Sequence, residues 1–482
     1  MFLIIISLPA RTNGYSARRA NKNSKTKKMK KNLLLSSILL GAMAVNAQPW
    51  VPQATGFATA SRGIRNVVAV DAQNVWVSAY DGTGGNANTQ DYSRTTDGGT
   101  TWTPGVVTTP SSANYNWSNL WAISATTAWG CLYDATGASG GGIFKTTDGG
   151  TTWAQQGVGA MFNNTGSFAD IVYFWDANNG IAIGDPAGPG TSFYEIYTTS
   201  NGGGTWTRTA TGSIPAKKDA SEYGIVNLYS VQGNTFWFGT NEGRVYKSTD
   251  KGMTWTVSVV SSAAGDGLAD IDFRSANEGL AVVYNATSTT YSTYSSLDGG
   301  ASWGPLTPSS GSFFTADLAH VPGTSAYVST GAATGMVGSS FSVDDGNTWV
   351  TIDSIDQHTA QGWVNSQVGW CGGFNTDPTT KGIFMYTGPA LGVPALTRDN
   401  ARMRLFPNPS SGQFTMQIAG AESKDAVVTV VDIVGSVVYQ GTVENSAKTI
   451  EKHFDLTGIS KGVYFVNVEN GSTRFSSKIT IK

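Results

Sequence analysis

Short apolar runs recur along most of the chain, and each is broken by a turn rich in Asp, Asn and Gly. Val67-Val68-Ala69-Val70 is followed after one such turn by Trp76-Val77-Ser78. Matching pairs run from Leu120 to Trp129-Gly130, Ile171 to Gly180-Ile181-Ala182, and Leu228 to Trp237-Phe238. Three more follow, from Ile271 to Gly279-Leu280-Ala281, Leu318 to Ala326-Tyr327, and Trp363 to Trp370-Cys371. Turns such as Asp176-Ala177-Asn178-Asn179-Gly180 have the composition of hairpin connections. No stretch carries the helical apolar period that an α/β chain would need. The pattern predicts an all-β protein with seven repeated hairpins.

Between the hairpins lies a second repeat. Thr146-Thr147-Asp148-Gly149-Gly150-Thr151-Thr152-Trp153 follows the pattern [S/T]-x-[D/N]-x-G-x-[S/T]-W. Other copies begin at Thr95, Thr199, Ser248, Ser296 and Ser342, and successive tryptophans are 51, 53, 49, 48 and 46 residues apart. A fixed period of this size marks a repeat architecture. The motif has a purely structural account. An Asx side chain ties a tight turn by accepting backbone N–H bonds, and Gly supplies the positive φ. The Trp opens the next strand with a large apolar face. Asp97, Asp148, Asn201, Asp250, Asp298 and Asp344 are therefore read as turn-forming residues.

Seven hairpins meet only six boxes. Lys381-Gly382-Ile383-Phe384-Met385-Tyr386-Thr387 starts like Gly141-Gly142-Ile143-Phe144-Lys145-Thr146-Thr147, then breaks off at Gly388-Pro389. The missing Trp strand is at the other end: Trp50-Val51-Pro52-Gln53 lies 52 residues before Trp102, on period. Closure by an N-terminal strand removes the exposed sheet edges. The expected fold is a seven-bladed β-propeller over 48–390, closed by an N-terminal strand and followed by a small C-terminal β-sandwich.

The boxes resemble the Asp-box, or BNR, repeat of secreted β-propellers. Their spacing is similar to that of non-enzymatic members, including photosystem II assembly factor-like and sortilin-like proteins. The resemblance implies boxes at the blade periphery and a protein or glycan ligand on the opposite face.

Residues 391–404 read as a linker with Pro394, Arg398, Arg402 and Arg404. Leu405-Phe406-Pro407-Asn408-Pro409-Ser410-Ser411-Gly412-Gln413-Phe414 then opens a new segment. With Asp432-Ile433-Val434-Gly435, Gly462-Val463-Tyr464 and the terminal Lys478-Ile479-Thr480-Ile481-Lys482, it resembles the type A C-terminal sorting domain of the type IX secretion system of Bacteroidetes. The resemblance spans 405–482. It implies a small β-sandwich that addresses the chain through the periplasm to the outer-membrane surface or medium, with the secretion machinery as partner.

Residues 1–47 read as an upstream extension and signal peptide. Met29-Lys30-Lys31 supplies the charge, Leu33 to Val45 the apolar core, and Val45-Asn46-Ala47 a small-residue cleavage site. The core is too short to span a bilayer comfortably, so no transmembrane segment is expected in the mature chain. Residues 1–28 are read as a start assigned too early, with Met29 the initiator.

Net charge is −2, but nine of the 31 Lys and Arg precede residue 32, and no acid precedes Asp71. The rest is distinctly acidic, which suits export. No basic stripe interleaves with aromatics, so nucleic acid is not an expected partner. Cys131 and Cys371 fall on second strands of different blades and are expected as buried thiols rather than a disulfide.

Candidate chemistry follows from strand position. Asn66, Asn119, Asp170, Asn227, Asp270 and Asp317 are expected just before the inner strands, ringing the channel mouth on the face opposite the boxes. Asp81, Asp134, Asp185, Asn241 and Asn285 follow the second strands. Strand-entry capping is the plainer role. The functional role is a polar funnel for a glycan or protein ligand. No cofactor is expected; Ca²⁺ is the one candidate, with Asp170, Asp270 and Asp317 as oxygen ligands, though a seven-bladed channel would spread them apart. Tyr80, Tyr92, Tyr115, Trp117 and Tyr194 are expected in loops as ligand contacts.

An enzyme is the alternative reading: a sialidase-like or xyloglucanase-like glycoside hydrolase using two of Asp81, Asp185, Asp270 and Asp317. The propeller's arginines, Arg62, Arg65, Arg94, Arg208, Arg244 and Arg274, form no sialidase-type cluster by position. His320 and His358 have no metal-ligand partner at short spacing.

Overall fold

The computed structural model describes residues 48–482 except 110–111, 165, 188–190, 393–401, 420–423, 445–448 and 472. The expected signal region and most of the expected linker lie outside the described residues. The described chain is built of β-strands with two short 3₁₀ turns. No helix among the described residues is long and apolar enough to cross a membrane.

From Trp50 to Tyr386 the strands fall into four-stranded antiparallel meanders. Blade 1 is Arg62–Ala69, Val75–Asp81, Asp91–Thr95 and Thr103–Val106, in that order from the axis outward. The inner strands of blades 2 to 6 are Tyr115–Ala122, Ala169–Phe174, Gly224–Gln232, Asp266–Phe273 and Asp317–His320, each followed by three more strands. Blade 7 takes Gln361–Asn365, Val368–Asp377 and Thr380–Tyr386 from the C-terminal side and Trp50–Ala54 from the N-terminal side. These make a β-propeller closed by its N-terminal strand. The closing register runs antiparallel from Trp50↔Tyr386 to Ala54↔Gly382. Trp50 is fully buried, donates its indole N–H to Ser339 Oγ at 2.8 Å, and meets Tyr386 edge-on at 5.1 Å.

Aromatic rings fill the seams between blades. Trp129 of blade 2 stacks on Phe174 of blade 3 at 3.6 Å, and Trp237 of blade 4 stacks on Phe273 of blade 5 at 3.9 Å. Lys145 and Lys247 lie over these two indoles at 5.0 and 5.6 Å. Cys131 and Cys371 are buried free thiols.

Each box forms the same knot. In the first, Thr95 Oγ1 donates to Asp97 Oδ1 at 2.8 Å and accepts the Gly99 N–H at 2.9 Å. Asp97 then accepts the Thr101 N–H and hydroxyl at 2.8 and 2.6 Å. The knot repeats at Asp148, Asp250, Asp298 and Asp344. Asn201 keeps it by donating to Thr205 Oγ1 at 3.0 Å instead of accepting. Two consecutive residues take positive φ in each knot, Gly98 and Gly99 in the first and Lys251 and Gly252 in the fourth. The bond to Thr152 holds the Asp148 carboxyl down at about 2. Asp148→Ala should lower the melting temperature at neutral pH, whereas Asp148→Asn should keep most of it, as Asn201 does. Thermal melts of both variants check this.

The C-terminal domain is a two-sheet β-sandwich. Arg402–Phe406, Gln413–Ala419 and Thr449–Asp455 form one sheet; Val437–Val443, Ala426–Asp432, Gly462–Asn470 and Thr473–Ile481 form the other. Alternation buries Phe414, Met416 and Ile418 against Val428, Val430, Val466 and Val468. Asn408 pins the last strand, donating to Lys478 O at 2.8 Å and accepting the Thr480 N–H at 3.0 Å. The opening Pro-Asn-Pro motif and the terminal motif are thus one structural unit. Two boundaries move. Residues 402–404, read as linker, belong to a strand, and Leu391 is buried in the blade 7 core.

Candidate functional site

A cavity of about 280 Å³ lies on the propeller axis. All seven blades line it, among them Asn66 and Val68, Leu120, Tyr173, Asn227 and Tyr229, Asp270 and Asp272, Asp317, and Gln361. Four of the six predicted ring residues, Asn66, Asn227, Asp270 and Asp317, are in this lining; Asn119 and Asp170 are buried behind it. None precedes its strand. All lie within the inner strands, and in blades 1, 2, 3 and 5 each coincides with a register shift of the first hairpin. Such a bulge re-aims one side chain. Asn227 takes φ +59°.

The re-aimed side chains pin neighbouring blades. Asn119 accepts the Val172 N–H at 2.8 Å and donates to Val172 O at 3.0 Å. Asp270 accepts Leu318 N–H, and Asp317 accepts Gln361 N–H, both at 2.7 Å. Asp272 bridges three blades, taking the Ser230 hydroxyl and the His320 N–H, each at 2.6 Å. These acids are therefore hydrogen-bonded parts of the wall.

The acids form two separate groups. Asp317 lies beside Asp270, with Asp272 close by. Asp170 lies beside Asp185, and Asp185 accepts the Gly224 N–H at 2.7 Å. Asp170 is completely buried and receives no N–H or hydroxyl bond. Burial, then the neighbouring carboxylate, pushes Asp170 and Asp317 well above the usual carboxylate range. Burial likewise raises Asp185, Asp270 and Asp272. Adjacent carboxyl groups away from water favour the neutral form, because each charge opposes the other. Asp170 belongs with Asp185 rather than with Asp270 and Asp317, so the three-carboxylate Ca²⁺ set is not assembled. No group of three or more metal-ligating side chains occurs among the described residues.

Of the second set, four tie local structure. Asp81 caps the Thr83 and Ala87 N–H groups, Asp134 those of Thr136 and Ser139, and Asn285 those of Thr287 and Ser288. Asn241 accepts the Tyr223 N–H at 2.8 Å. Asp185 alone reaches the next blade's inner strand.

The predicted loop aromatics are mostly core. Tyr92, Tyr115, Trp117 and Tyr194 are buried, because they lie on or beside strands whose faces pack between blades. Tyr80 stays half-buried at the end of its strand. Tyr133 and Tyr284 occupy the same position in blades 2 and 5, each one residue before an Asx. This Tyr-Asx recurrence is visible in the sequence as Tyr80-Asp81, Tyr133-Asp134 and Tyr284-Asn285. His358 is buried between Trp50 and Phe384 and bonds Asp353 at 3.2 Å, and His320 bonds Thr324 O at 2.8 Å.

A closed propeller with an axial, acid-walled cavity, followed by a β-sandwich, defines the class. Residues 404–482 match the family described as the secretion system C-terminal sorting domain. This is the address of a secreted or cell-surface protein and implies contact with the type IX secretion machinery. A comparison with curated proteins finds no match. Similar solved structures include YCF48 bound to D1 peptide, at 16% identity and TM-score 0.49, covering 72% of this chain and 97% of that one. YCF48 from Cyanidioschyzon merolae is similar at 16% identity and TM-score 0.36, covering 70% and 98%. A complex of BBS1N with ARL6DN matches at 10% identity and TM-score 0.39, covering 71% and 98%.

Proposed function

We propose that the chain is an exported binding propeller that holds a glycan on the face where the inner strands begin. The observation that carries this reading is the state of the channel acids. Asp270, Asp317 and Asp272 accept N–H bonds from neighbouring inner strands, while half-buried Tyr80, Tyr133 and Tyr284 stand where second strands end. That arrangement offers recognition without a free acid–base pair.

The hydrolase alternative is less well supported. A glycosidase needs carboxyl groups roughly 5–9.5 Å apart, flanking the scissile bond. Asp270 sits beside Asp317 and Asp170 beside Asp185, closer than two carboxyl groups that flank a sugar. Asp81 is tied into its own turn. Box repeats of the BNR type, a signal peptide removed before Gln48, and passage through the periplasm belong to the same proposal. Equilibrium binding of the purified protein to a polysaccharide panel, with reducing ends assayed in parallel, tests it. Binding without release is expected.

A further inference from the structure

Arg65 occupies the bulge of the blade 1 inner strand, between Ile64 and Asn66. The propeller's other arginines are all committed. Arg62 bonds Asp91 at 2.7 Å, Arg244 bonds Glu222 at 2.7 Å, and Arg274 bonds Asp345 at 2.9 Å. Arg208 faces Glu195 at 3.7 Å, and Arg94 donates to Gly149 O at 2.8 Å. Arg65 makes no ion pair among the described residues, and its Nε is buried without an acceptor. Burial lowers its pKa, as expected of a cation held partly out of water without an anion.

Aromatic rings flank this guanidinium. It lies 5.6 Å from the centroid of Tyr80, and Tyr133 of blade 2 is its other aromatic neighbour. Tyr133 stacks on Phe168 at 4.6 Å, and Tyr80 meets Phe374 of blade 7 at 6.0 Å. Gly63 lets the Tyr80 ring lie flat on the backbone, since a Cβ there would come within 2.4 Å of the ring. All four rings are half-buried and mark the end of the propeller where second strands finish, opposite the boxes.

We infer that Arg65, flanked by Tyr80 and Tyr133, is the anchor for a carboxylate-bearing sugar, so that the ligand class is an acidic polysaccharide of the uronic-acid type. The inference rests on the binding reading above. The planar fork of Arg matches a carboxylate with two parallel N–H bonds. The negative faces of flanking tyrosines suit the polarised C–H face of a pyranose ring. An extended acidic peptide offers the carboxylate but not the flat ring.

Calorimetric titration of the full-length exported protein with polygalacturonate, its methyl ester, neutral dextran and poly-L-glutamate tests this. Polygalacturonate should bind, and its methyl ester should bind roughly tenfold or more weakly. Arg65→Ala should lose the same factor and Arg65→Lys most of it, because Lys keeps the charge without the fork. Tyr133→Ala should weaken binding while Arg65→Ala leaves the melting temperature nearly unchanged, since no ion pair is lost. Unchanged polygalacturonate binding by Arg65→Ala overturns the inference. So does poly-L-glutamate binding as tightly as polygalacturonate, which would mark an acidic-peptide site. Dextran bound without polygalacturonate would sink the acidic-sugar assignment and leave the binding propeller standing; no polysaccharide bound at all would end both.

Discussion

Replacing Trp50 with Ala should destabilise the propeller by about 3–5 kcal/mol, the cost of truncating a fully buried aromatic. The residue has no surface exposure and packs on Trp363 at 5.6 Å, Tyr386 at 5.1 Å and His358 at 5.4 Å. Its loss also leaves Ser339 Oγ without the indole donor. More is at stake than a cavity. The five pairs from Trp50↔Tyr386 to Ala54↔Gly382 are the ladder by which the N-terminal strand covers Thr380–Tyr386. Weakening them exposes a sheet edge, a template for pairing with another chain. Chemical denaturation should show a lower midpoint for Trp50→Ala and little change for Val51→Ala, whose side chain is 43% exposed. Equal midpoints for the two would mean that closure contributes little.

Stability should pass through a maximum in mild acid and fall as pH rises above it. Burial pushes Asp185 and Asp270 up to about 7, and raises Asp170, Asp272 and Asp317 as well. A folded carboxyl whose pKa is raised holds its proton where the unfolded chain has lost it. The contribution is therefore complete below about pH 4 and is lost as pH climbs through the folded value. The turn acids act oppositely. Asp148 and Asp298 are held at about 2 by bonds from Thr152 and Ser302. Their contribution is present above about pH 4 and is lost as pH falls toward 2. The optimum should lie at roughly pH 4–6, with a loss on the order of a few kcal/mol by pH 8. Asp170→Asn should flatten the alkaline limb, because it removes one carboxyl whose pKa burial raises. Thermal melts from pH 3 to 9 check both. A melting temperature that rises from pH 5 to 8 would contradict this picture of the channel.

Much of the fold was legible because repeats impose period and closure imposes a missing strand. Trp50 could be placed in blade 7 from its distance to Trp102 alone, and the register agrees. The box knots followed from residue type, since Thr95, Asp97, Gly99 and Thr101 carry the bonding groups in a fixed local order. The site was less legible. Asn119 and Asp317 are expected just before the inner strands but lie within them, and their bonds run to Val172 and Gln361, in blades that local spacing does not relate. Tyr92 and Tyr194 resemble loop aromatics but lie on or beside third strands, and Trp117 lies in the early part of an inner strand that begins sooner than its apolar run; the seams bury all three. Asp170 and Asp185 are joined by the bend of one hairpin, and only the bulge turns the first toward the second. Arg65 differs from the other propeller arginines only in its lack of an ion pair or acceptor among the described residues, which depends on contacts between distant segments.

The central claim is that this exported propeller binds a glycan and does not cleave it. The most direct measurement is titration of the purified protein with a polysaccharide panel, with reducing ends counted in the same samples. Saturable binding with no release above the protein-free control is the predicted result. Release of reducing ends that is abolished by Asp185→Asn or Asp270→Asn would contradict it and make the channel acids catalytic.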